Sequence, residues 1–415
     1  MSIVMIACGL VVSGVAACRA DPVVTEDLTG PPISAEPDLP PPHVWLPLDE
    51  FYERPARIPP KPGVLLKNDR LTDRLLPPRS RAWRMMYSTR LPDNTPATAV
   101  ATVLAPERPS PQPSPVILFQ HGTVGIKQKC MPSTMTTPFE GVPGLEEVVR
   151  RGWVVIATDY QVDGDGVIPF LVGEGEARST LDSLRAARQM PELQLANRAV
   201  VWGHSQGGHA ALWTGIARGD YAPDIKLSGI AASAPATDLE ELARIYAQGV
   251  AAATSAPYLA TAYSQYYPDV QFDDVVPEGA REISREIADL CPEPQELLRL
   301  QQLGSELGAA TVAPMSATGP FADRLRENTP NQTIDVPVLV VQGLTDPVIP
   351  PSVTDAFVDR QCAAGQDLAY WRVVDRDHNT VLAADGQIPE MLVSWTDDRL
   401  AGKIQTGCQT TTLRG

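Results

Sequence analysis

Gly203-His204-Ser205-Gln206-Gly207-Gly208 sets a serine in a G-x-S-x-G frame. The apolar run Ala199-Val200-Val201-Trp202 leads into it and an Ala-rich stretch, Gly208 to Arg218, leads out. A strand–turn–helix elbow of this kind projects a hydroxyl above the sheet, and its glycines let strand and helix backbones pass closely. The amino terminus of the following helix supplies free N–H groups beside the oxygen. Neither G-K-[ST] nor G-x-G-x-x-G is present, so a phosphate-binding loop is disfavoured.

Serine needs a base to become a nucleophile at neutral pH. The chain has five histidines: His43, His121, His204, His209 and His378. His43 lies in a Pro-rich stretch, while His204 and His209 flank the elbow and are expected to point away from the hydroxyl. On elbows of this type the chain order is serine, acid, histidine, which leaves His378 as the base. For the acid, Val338-Leu339-Val340-Val341-Gln342-Gly343-Leu344-Thr345-Asp346 delivers Asp346 at the end of an apolar strand. There it can hold the imidazole tautomer and stabilise imidazolium. Asp375 and Asp377 are rivals, but they lie too near His378 in sequence for an easy geometry. The oxyanion donors are expected to be the backbone amides of Gln206 and of Thr123, with Gly122 the rival, in the loop Phe119-Gln120-His121-Gly122-Thr123-Val124-Gly125. No metal or organic cofactor is required by this chemistry.

The elements that must carry these groups can be read from the apolar runs. Residues 82–88 and 98–104 read as paired strands across a turn at Pro92-Asp93-Asn94. Short Val/Ile-rich runs at 116–119, 154–157, 199–202, 230–232 and 338–341, and the strand 370–374, read as buried strands. Helical stretches at 144–151, 174–189 and 208–218 alternate with them. The alternation predicts an α/β fold with a mostly parallel central sheet covered on both faces, its core split into 81–237 and 331–415. Residues 238–330 lose the strand rhythm and read as a helical insertion, a cap or lid above the carboxyl ends of the strands, where sites form in such sheets. Residues 21–80 read as a Pro-rich arm, extended through position 62.

The 415 residues include 34 Lys+Arg against 50 Asp+Glu, a formal net charge of −16. Nucleic acid and anionic membrane surfaces are therefore disfavoured as main partners. The 41 prolines are roughly twice the usual ~5% share. Ile3 to Val12 is almost wholly apolar and is followed by small residues, so residues 1–20 read as a signal segment, although no Lys or Arg precedes Arg19. Val15-Ala16-Ala17-Cys18 resembles a bacterial lipobox, which would anchor the protein to a membrane through a lipidated Cys18. The expected location is secreted or cell-envelope. Beyond Cys8 and Cys18, the cysteines are Cys130, Cys291, Cys362 and Cys408. They are too scattered for a zinc or redox motif, and an even number in an exported chain suggests two disulfides with three pairings open.

Several segments together resemble the secretory lipase family of α/β-hydrolases. They are Asp49-Glu50-Phe51-Tyr52, His121-Gly122-Thr123 with Cys130-Met131-Pro132-Ser133, Gly152-Trp153-Val154-Val155-Ile156-Ala157-Thr158-Asp159-Tyr160, Trp202 through His209, and Tyr221-Ala222-Pro223. The resemblance runs from about Phe51 to Gly407. It implies the α/β-hydrolase fold, hydrolysis of triacylglycerols or related esters, a triad of Ser205, Asp346 and His378, a cap or lid at 238–330, and the pairings Cys130–Cys291 and Cys362–Cys408. Two departures bear on substrate preference: the family usually has Tyr where His204 stands, and the loop from Gln161 to Phe170 lacks the usual His-Pro-Tyr run. A carboxylesterase for small soluble esters, a serine peptidase and a non-catalytic envelope lipoprotein are the alternative readings.

Overall fold

The computed structural model describes residues 44–246, 252–292, 294–307 and 318–415. Residues 1–20, expected to be a signal segment, with Cys8 and Cys18, and His43, lie outside the described residues. Among the described residues ten strands form one sheet: β1 Leu65–Leu71, β2 Ser80–Arg90, β3 Pro96–Pro106, β4 Ser114–Gln120, β5 Val154–Val162, β6 Leu195–His204, β7 Leu227–Ser233, β8 Val338–Gly343, β9 Leu368–Val374 and β10 Cys408–Arg414. Their spatial order is β1-β2-β3-β5-β4-β6-β7-β8-β9-β10. The pairs β1–β2, β2–β3 and β3–β5 are antiparallel, and every pair from β5–β4 to β9–β10 is parallel.

Alternation along the central strands divides the core in two. Val116, Leu118, Val201, Val338 and Val340 face one side, against α2 (Gly173–Ala187), α3 (Gln206–Tyr221) and α10 (Pro351–Ala363). Ile117, Phe119, Val200, Trp202, Leu339 and Val341 face the other, against α1 (Leu145–Arg150) and α11 (Ile388–Leu400). Apolar burial on both faces is what makes these strands continuous Val/Ile/Leu runs.

The edge strands differ from the reading of the sequence. Leu65–Leu71, inside the segment expected to be an arm, pairs with β2. Its Lys67-Asn68-Asp69-Arg70 centre is polar on both faces, so no alternation betrays it. The strand β10 is likewise exposed along most of its length and polar. Upstream of β1 the chain wraps the core: Leu46 donates its amide to the Thr134 carbonyl (2.8 Å), and Phe51 and Tyr52 are buried.

In the 238–330 segment the described residues form helices and no strand: α4 Leu239–Tyr246, α5 Ala252–Tyr266, α6 Phe272–Val275, α7 Arg281–Asp289, α8 Pro294–Leu307 and α9 Pro320–Glu327. They pack into an apolar cluster, including Tyr258, Tyr263, Ile287 and Leu303, that also takes in Ile168, Phe170 and Ile349 from outside the segment.

Cys130 is bonded to Cys291 and Cys362 to Cys408, the pairings that the resemblance implied. The second bridge ties α10 to the polar edge strand β10 across 46 residues of sequence. Chain-entropy arithmetic for a loop of that size gives about 4 kcal/mol. Replacing both Cys362 and Cys408 by Ser is expected to cost that order of stability in chemical denaturation. A loss under ~1 kcal/mol would show that the bridge contributes little beyond the contacts around it.

Candidate active site

Ser205 sits between β6 and α3 at φ +58°, ψ −121°, a region that non-glycine residues rarely adopt. Its amide donates to the Ser233 carbonyl at the end of β7 (2.9 Å). The flanking glycines are there because the backbone leaves no room. A Cβ on Gly203 would lie 1.9 Å from the Gly207 carbonyl oxygen, and a Cβ on Gly207 would lie 1.9 Å from the Gln120 carbonyl oxygen at the end of β4. The elbow therefore turns as sharply as the sequence motif requires.

His378 lies on the loop between β9 and α11, and Asp346 on the turn after β8. The structure brings both to Ser205. Nδ1–H of His378 donates to Asp346 Oδ2 (2.8 Å), and the Ser205 hydroxyl meets His378 Nε2 at 2.9 Å. Asp346 is buried and its carboxylate is otherwise filled. Oδ1 accepts from the Val348 and Ile349 amides, each at 2.8 Å, and Oδ2 also accepts from Gln342 Nε2 (3.1 Å). Asp377 instead caps its own turn, accepting from the Asn379 and Thr380 amides (3.0 and 2.9 Å). Gln342, a polar residue at the end of an apolar strand, was a signal that the sequence reading left unused.

Gly122, Thr123 and Ser205 line a cavity of about 660 Å³ together with Tyr258 of α5 and Leu297 and Leu300 of α8. The Gln206 amide opens α3, where first-turn N–H groups have no intrahelical acceptor. A Cβ on Gly122 would lie 3.7 Å from Ser205 Cβ, so the loop after β4 runs close beside the elbow.

His209 points away from the hydroxyl, as expected; it bonds to Glu176 and to the Asn328 carbonyl (2.8 Å each). His204 does not. Its ring packs 4.7 Å from the His378 ring, centroid to centroid, and it lines the same cavity. The reason is strand alternation: His204 shares a face with Val200 and Trp202, the face that α11 covers, and the His378 loop leads into α11.

Burial governs the ionisation of the surroundings. It pushes the His121 ring down to about 4. It pushes the His204 ring down to about 3, helped by the neighbouring His378. It pushes the Asp159 carboxyl up to about 7, against the opposing pull of the Ser133 hydroxyl and the Ser133 amide, the latter donating at 3.0 Å. The unfolded chain takes up protons below about 6.5 that the two buried rings refuse, so they lower stability as the pH drops from 6.5 towards 4. Asp159 acts in the opposite sense. Folded protein keeps its proton where the unfolded chain releases it, so stability falls as the pH rises from about 4 to about 7. Asp159→Asn is expected to gain a few kcal/mol relative to wild type at pH 8 over its effect at pH 4, at ~1.4 kcal/mol per pKa unit. Equal differences in unfolding free energy at the two pH values would count against an Asp159 that titrates late.

Comparison with known proteins agrees with this architecture. The secretory lipase model matches residues 127–407. The chain is 26% identical over 384 residues to a probable inactive lipase of Mycobacterium tuberculosis, covering 86% of this chain and 83% of the relative. It is also 26% identical over 384 residues to a secreted triacylglycerol lipase of Malassezia globosa, covering 87% and 83%. Lipase A of Candida antarctica in its closed state superposes with a TM-score of 0.70 at 18% identity, covering 88% of this chain and 89% of that one. With the lipase and esterase structures it resembles, the protein shares the α/β-hydrolase fold, and with the family model spanning well over half its length, the chain belongs to the secretory lipase family.

Proposed function

We propose that this protein is an exported serine ester hydrolase that cleaves triacylglycerols or related esters by acyl transfer. One observation carries the reading: a hydroxyl, an imidazole and a buried carboxylate in hydrogen-bond sequence, at a strained elbow that opens on a cavity. His378 Nε2 takes the Ser205 proton as Oγ attacks the ester carbonyl, and Asp346 stabilises the imidazolium. The Gln206 and Thr123 amides hold the oxyanion. As the tetrahedral species collapses, the ester C–O bond breaks and the leaving alcohol takes the proton from His378. Water then attacks the acyl-enzyme with His378 as base again, releasing the acid and restoring Ser205.

Tyr258, Leu297, Leu300 and Val348 on the cavity wall suit an apolar acyl chain, with the 238–330 helices acting as its cap. The apolar stretch Ile3 to Val12 and the secreted relative support export, with Cys18 as the proposed lipid anchor.

Labelling by a fluorophosphonate tests the reading. The native protein is expected to label and Ser205→Ala to stay unlabelled; equal labelling would remove Ser205 from the chemistry, and no labelling of either would place the protein beside the relative named a probable inactive lipase. Rates on short and long p-nitrophenyl esters then separate a carboxylesterase from a lipase.

A further inference from the structure

Beneath the elbow lies a second acid–imidazole pair that acyl transfer leaves unused. Glu176 of α2 and His209 of α3 are both fully buried. Glu176 Oε2 meets His209 Nδ1 at 2.8 Å. Glu176 Oε1 accepts from Gln206 Nε2 (2.9 Å) and from the Leu171 amide (3.1 Å). His209 Nε2 carries a proton, because its partner is the Asn328 carbonyl (2.8 Å), which only accepts. Asn328 follows α9. The same carbonyl accepts from Trp213 Nε1 (2.9 Å), its side-chain oxygen accepts from the Gly173 amide (2.8 Å), and its Nδ2 donates to the Tyr267 hydroxyl (2.7 Å).

The two segments that Oε1 grips are both strained. Leu171 has φ +55°, and Gln206 directly follows Ser205 at φ +58°. Such conformations persist only where the surroundings over-determine them. A buried carboxyl is tolerated only when its polar atoms are used; here Oε1 accepts from two N–H groups and Oε2 shares a proton with His209 Nδ1.

We propose that Glu176 is a positioning residue for the reaction: by clamping the Gln206 side chain it aims the amide that follows Ser205, and through His209 and Asn328 it fastens that amide to the last helix of the 238–330 insertion. The proposal rests on the roles given to Ser205 and Gln206 above. An oxyanion donor acts only when it is aimed where charge develops, so loosening it lowers turnover more than binding.

The test compares Glu176→Ala, Glu176→Gln and Gln206→Ala on a soluble p-nitrophenyl ester, below the Tm of each variant. Glu176→Ala is expected to lose ~30–100-fold in kcat with KM within ~3-fold, less than the ~10²–10³ for deleting a donor outright. Glu176→Gln keeps an oxygen for Gln206 and Leu171 and offers its amide N–H to His209 Nδ1, so its loss is expected to stay within ~5-fold. Wild-type kcat in Glu176→Ala, or an equal loss in Glu176→Gln, overturns the proposal. Should Glu176→Ala fail to fold, Gln206→Ala, which leaves the Glu176–His209 pair intact, decides: a ~10-fold loss in kcat at unchanged KM supports the clamp, and wild-type kcat overturns it. Fluorophosphonate labelling of Ser205→Ala is read alongside. If that variant labels like the native protein, the role of Ser205 fails and the clamp with it; if only the Glu176 and Gln206 variants behave as wild type, the clamp alone fails.

Discussion

Ser205→Ala is expected to lower kcat on any ester by ~10⁴–10⁶-fold while leaving KM nearly unchanged, the scale seen when a serine nucleophile is removed from a preorganised site. The hydroxyl contributes one bond in the folded state, to His378 Nε2, so the far-ultraviolet spectrum and thermal midpoint should hardly move. The residual rate should come from the cavity and the proposed oxyanion donors alone. A variant retaining more than ~10% of native turnover would mean that another group attacks the ester.

The second large effect is at Asp346. In Asp346→Asn the amide oxygen is pinned at the Oδ1 position, where the Val348 and Ile349 amides both donate. The new NH₂ must then face His378 Nδ1 and Gln342 Nε2, two positions where donors now sit. His378 is driven to the tautomer with its proton on Nε2, which cannot accept from Ser205. A loss of ~10⁴-fold in kcat is expected, the scale known for the same exchange in a serine protease. Gln342 also donates to the Ile349 carbonyl and accepts from the buried Thr354 hydroxyl, so Gln342→Leu combined with Asp346→Asn removes the clash with the new NH₂ at a cost in stability and should not restore turnover. Recovery of turnover in that double variant would show that crowding, not the tautomer, disables the single one.

Why these two residues were legible in the sequence, and others were not, follows from the range of the physics. The elbow at Ser205 is local: its glycines, strand and helix are consecutive, and the same steric limits that forbid a Cβ at Gly203 and Gly207 write the motif. Chain order led to His378 and Asp346 because an α/β sheet delivers loops to one edge. The strands at the sheet's margins, β1 and β10, were missed because neither buries an apolar face along its length. His204 was misplaced because the parity of a strand's last residue depends on how the following turn leaves the sheet. Glu176 was invisible for a different reason. It lies 33 residues from His209 and 152 from Asn328, counting along the sequence, and nothing local marks an acid on the buried side of a helix as paired.

The bridge between Cys362 and Cys408 has a consequence for handling the protein. With it closed, β10 covers the outer hydrogen-bonding row of β9 in continuous parallel register from Leu368 to Val374. Opened by a reductant, the weakly buried β10 is free to peel away, and Leu368, Tyr370 and Val373 then stand on an uncovered margin that can template a second molecule. Reducing buffers should therefore yield turbidity and loss of recoverable material well before they yield a soluble, inactive chain.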